Sequence, residues 1–172
     1  MNKQLLSEIA LYTGSINLPS PIKIDLESLK ADILLYNSDN NLNGQFPFSK
    51  NVSILDTYIR DFIYLKHSIK LIQKNIFGDI YKPGEYSYPL LQADLMNLQN
   101  SCDFVLLYGV NINENSCKIR IEYDNNRIKN NYIDVPLKTN NFIIFPSTLV
   151  YYVTSNTSEQ LNFILTTLYE LK

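Results

Sequence analysis

The chain holds one histidine, His67. Imidazole is the side chain best suited to acid–base work near neutral pH and to binding divalent metals. Asp56, Arg60, Lys70 and Lys74 share its side of a helical projection, so a solvated surface position is expected for it. The two cysteines, Cys102 and Cys117, match no metal-ligand spacing; a disulfide between them stays open, and two buried thiols are the expectation. The five glycines are isolated. No phosphate-binding loop or GxGxxG can be built from them. CxxC and HExxH are absent. A Ser-His-Asp triad would have to recruit His67 from a charged face, and nothing positions a carboxylate pair for glycoside hydrolysis.

The elements that must carry any site fall into two regions. Residues 16–26 (INLPSPIKIDL) read as extended, because Pro19 and Pro21 turn their predecessors away from helix and Ile22, Ile24 and Leu26 alternate. A short helix is expected over 27–36, then a polar loop over 37–50 broken by Gly44 and Pro47. A long helix is expected over 53–77, with Ser53 and Asp56 as a capping box and Gly78 closing its end. Ile54, Leu55, Tyr58, Phe62, Leu65, Ile69, Ile72 and Ile76 form its apolar stripe.

Beyond Gly78 the period changes to that of strands. Residues 81–89 are turn-rich. Residues 103–112 make an apolar strand, and 117–124 alternate cleanly, with Asn125-Asn126 as a turn. Short strands follow at 132–135, 142–145, 149–153 and 160–169, at the spacing of a sandwich or barrel. The expected architecture is mainly β (α+β): a single domain over 1–172, with an N-terminal strand and helical layer over 1–80 supporting a jelly-roll core over 81–172.

The bulk numbers bound the function. A chain of 172 residues that is 45% hydrophobic can bury a sizeable core. Its net charge of −2 favours no polyanionic partner, so nucleic acid is not expected. No apolar run is long enough to span a bilayer, and the start lacks the apolar core of a secretory signal, so no membrane association or signal-dependent secretion is expected. Thirteen tyrosines with no tryptophan suit strands and protein interfaces.

The C-terminal half carries a resemblance. The run DVPLKTNNFIIFPSTLVYYV (134–153) resembles the end of the phage-associated 2-oxoglutarate/Fe(II)-dependent oxygenases, with Phe145-Pro146-Ser147 standing where that family has FPS. ENSCKI (114–119) is similar to the family's ENSGKI, NTSE (156–159) to its NxSDE, and LPSPIKIDL (18–26) to its opening FPTPI strand. The resemblance implies a double-stranded β-helix (jelly-roll). It also implies an iron held by two His and one Asp or Glu, or by three His.

The residues depart from that chemistry. The family's last histidine falls on Tyr151, its two upstream ligand positions fall near Asn97 and Gln99, and its cosubstrate arginine falls on Gln160. One histidine cannot supply two imidazoles. The expectation is therefore a non-catalytic, oxygenase-like jelly-roll with no catalytic residues, no metal and no cofactor. Tyr108, Phe145, Tyr151 and Tyr152 are expected to fill the vacated pocket. The expected partners are other protein subunits in an oligomer or larger assembly, located in a virion or the host cytoplasm. Two alternatives stand beside it: an oxygenase with unusual ligands, and a small-molecule or glycan-binding jelly-roll using Tyr86, Tyr88 and Tyr132.

Overall fold

The computed structural model describes residues 9–19, 22–38, 44–123 and 131–172. The expected turn at Asn125-Asn126 lies outside them. Eight strands and two helices follow in the order β1 (Tyr12–Ser15), α1 (Leu26–Ser38), α2 (Lys50–His67), β2 (Leu71–Tyr81), β3 (Phe104–Asn111), β4 (Lys118–Tyr123), β5 (Asn131–Pro136), β6 (Asn141–Pro146), β7 (Val150–Val153) and β8 (Asn162–Leu171). The strands form two antiparallel sheets: a major one ordered β1-β6-β3-β8-β2 and a minor one ordered β5-β4-β7.

Two apolar layers result. The helices cover the outer face of the major sheet, where Leu29, Ile33, Ile59 and Ile63 pack on Leu106, Phe142 and Leu165. The second layer fills the space between the sheets, where Val105, Ile143 and Ile164 meet Ile119, Tyr151 and Val153. Residues of β3 and β6 alternate between the layers, so both strands read as continuous apolar runs. This is the expected jelly-roll with supporting helices. Of the first eighty residues, β1 and most of β2 join the major sheet rather than the helical layer.

The long helix is shorter than expected, and its limits are different. Ser49 caps it, accepting a hydrogen bond from Val52 N–H at 3.3 Å, and it ends at His67. Ser68 then adopts a left-handed conformation at φ 57°, with its N–H on Tyr64 C=O. The buried stripe is Val52, Leu55, Ile59 and Ile63, while Leu65 is 80% exposed. Residues 71–81 are strand, and Gly78 sits inside it. A side chain at Gly78 would meet Ile33 Cγ1 at 2.7 Å, so the glycine lets α1 lie directly on β2. Ile69, Ile72 and Ile76 stand at helical spacing, yet only Ile69 and Ile76 pack on the helix-side layer; a bulge between Gln73 and Asn75 shifts the strand's alternation, and Ile72 is exposed.

The expected N-terminal strand is also displaced. β1 lies upstream at Tyr12–Ser15, and residues 22–25 are not strand. Asp25 Oδ1 instead accepts from Glu27 and Ser28 N–H and caps α1. No helix among the described residues is long and apolar enough to cross a membrane.

Candidate functional site

The polar interior of the sandwich gathers where β7, β2 and β8 approach the segment after Pro89. In β7 the alternation turns Tyr151 and Val153 inward and Tyr152 outward. Tyr151 is 1% exposed. Its ring lies 5.0 Å from that of Phe145, nearly edge-on. Its hydroxyl accepts a hydrogen bond from Gln92 Nε2 at 3.1 Å. Gln92 is held there because its segment runs beside β7. Leu90 and Tyr151 exchange both backbone hydrogen bonds, and Ala93 N–H donates to Ser147 C=O.

From the major sheet, β2 contributes Asp79 and Tyr81. Thr166 Oγ1 of β8 lies 3.4 Å from Asp79 Oδ2. Burial pushes the Asp79 carboxyl up to about 6 against the opposing bond from Thr166. Burial also raises the Tyr81 phenol, with further contributions from the charge of Asp79 and from Tyr151. Tyr151 is pushed up to about 12, again mainly by burial. Cys117 is buried and pushed up to about 11, and Cys102 Sγ donates to Gln92 C=O at 3.4 Å. Both cysteines are free and buried, as expected.

This arrangement has limited chemistry. Near neutral pH both phenols and the Cys117 thiol keep their protons, and the Asp79 carboxyl, raised to about 6, titrates just below it. Among the described residues no lysine or arginine is buried. No cluster of three or more His, Cys, Asp or Glu among them could hold a metal ion.

The sequence-derived positions separate in space. Asn97 precedes a short 3-10 turn, Leu98–Asn100, and both Asn97 and Gln99 are exposed. Gln99 has no hydrogen bond to Tyr151, and the Asn97 side chain accepts from Asn100. The polar side chain facing Tyr151 is Gln92. Gln160 is exposed, and its carbonyl accepts from Asn156 Nδ2 at 2.7 Å.

Of the four expected pocket fillers, Phe145 and Tyr151 meet inside the sandwich. Tyr108 lies in the helix-side layer, with its hydroxyl on Asn140 Oδ1 at 2.8 Å. Tyr152 lies outside. There Arg120 forks onto both oxygens of Asp134 at 2.6 and 2.9 Å, donates to Tyr152 Oη, and stacks on Tyr132 at 4.0 Å. Tyr86 and Tyr88 are exposed neighbours with ring centroids 6.0 Å apart. Tyr132, on β5, is not part of that pair. His67 is exposed at the end of α2, 4.4 Å from the Tyr12 ring.

Gln92 and Asp79 escaped sequence reasoning. Gln92 follows two prolines in a segment with one bridge to the sheet, too irregular to show a strand period. Asp79 was placed beyond the end of a helix, whereas it is the lone charged residue in the NIFGDIY portion of β2.

No protein-family model matches the sequence, and no curated protein matches it. Solved structures do. The α-ketoglutarate-dependent carbocyclase SnoK of nogalamycin biosynthesis superposes over 96% of this chain and 80% of its own, with a TM-score of 0.68 at 8% identity. The fold is the double-stranded β-helix of the 2-oxoglutarate/Fe(II) oxygenases. AviO1 from Streptomyces viridochromogenes covers 94% of this chain and 90% of its own at 10% identity, with a TM-score of 0.65. A Pseudomonas putida prolyl-4-hydroxylase covers 94% and 88% at 12% identity, with a TM-score of 0.60. At such identities the likeness shows the fold alone.

The donor set does not fit the iron of these oxygenases. Tyr151, where the motif resemblance puts the last histidine, is a buried phenol, and its neighbour is a neutral amide already bonded to that phenol. Two imidazoles and a carboxylate are a different set.

Proposed function

We propose that this protein is a non-catalytic jelly-roll of the oxygenase fold, serving as a structural or accessory subunit of an assembly, in keeping with its phage-type motifs a virion. The observation that carries the reading is the Tyr151–Gln92 contact. A packed ring against Phe145, with its hydroxyl bonded to Gln92, occupies the position matched to the last iron ligand. The interior electrostatics support it. A cosubstrate with two carboxylates needs a cation, and the titrating interior group is the Asp79 carboxyl.

The outer surface supports a role with protein partners. Among the described residues no helix covers the minor sheet, and its outer face presents an ordered Arg120–Asp134–Tyr132–Tyr152 group of residue types enriched at interfaces. Sedimentation of the purified protein, with mass spectrometry of purified particles from its source, tests the assembly role. Self-association or recovery in particles is expected. A strict monomer absent from every particle contradicts it.

A second reading, an oxygenase with substituted ligands, is favoured by the fold of its neighbours, five of them described as oxygenases or hydroxylases. It requires Gln92 and Tyr151 to part and bind a metal. Release of succinate from 2-oxoglutarate in the presence of Fe(II) would support that reading over the first.

A further inference from the structure

We draw no further inference here: the strongest candidate, the tyrosine-bearing outer face of the minor sheet around the Arg120–Asp134 pair, carries nothing further, because nothing in the structure shows what covers it.

Discussion

Replacing Asp79 by asparagine should stabilise the protein at pH 8 and leave it unchanged at pH 4. The carboxyl titrates at about 6 in the folded chain instead of 3.8. Its folded-state value is raised, so between these values the native state holds more proton than the unfolded chain. Stability is then full below 3.8, declines as pH rises to about 6, and stays flat above. At 1.36 kcal/mol per pH unit the full decline is about 3 kcal/mol. Asp79 keeps some solvent contact, so the observable gain from Asp79→Asn is about 1–3 kcal/mol. That corresponds to a rise in Tm of about 2–10 °C for a chain of this size. The asparagine keeps the shape of the side chain and can still bond to Thr166. Urea denaturation at pH 4, 6 and 8, comparing both proteins at equal ionic strength, is the assay. A gain that grows from pH 4 to pH 8 is expected. A loss at pH 8, or a gain independent of pH, would refute the idea that an uncompensated carboxylate sits in the sandwich.

Other expectations follow from packing. Tyr151→Ala should cost about 3–5 kcal/mol by leaving a void beside Phe145, and Tyr151→Phe about 1 kcal/mol by stranding Gln92, both read by chemical denaturation. Ile59→Ala should cost about 2–5 kcal/mol while Leu65→Ala stays within about 0.5 kcal/mol, because the first side chain is fully buried and the second is 80% exposed; comparable costs would restore the stripe read from the sequence. The double substitution Gln92→His with Tyr151→His, with Asp94 two residues from the first, should create a site whose thermal midpoint rises with added Zn(II), by an amount equivalent to about 2.7 kcal/mol at one hundred times Kd. The native protein should show no such rise.

The fold was legible wherever burial imposed one clear period. The strands at 104–111, 118–123 and 141–146 lie within a residue or two of their expected limits, because β4 alternates and β3 and β6 are apolar on both faces. The region after His67 was misread for a physical reason. Ile69, in the connection, and Ile72 and Ile76, in the bulged edge strand, stand at helical spacing, and only three residues, led by the left-handed Ser68, separate helix from strand. Ser carries no sequence signal for that conformation, whereas Gly78 does and drew the boundary to itself.

The site was legible in part. The inward direction of Tyr151 was legible because its strand alternates regularly. Its hydrogen-bond partner was not, since Gln92 reaches it from a segment held to the sheet by one bridge. Asp79 and Thr166 face each other across β2 and β8, 87 residues apart, a proximity that pairing alone creates.

The central claim is that this oxygenase fold does not hold the oxygenase metal. Anaerobic titration of the native protein with Fe(II), by calorimetry, with and without 2-oxoglutarate, tests it most directly. No saturable heat is predicted in either case. Tight binding of one equivalent of Fe(II) that strengthens with 2-oxoglutarate would contradict the account and make Gln92 and Tyr151 ligands rather than a plug.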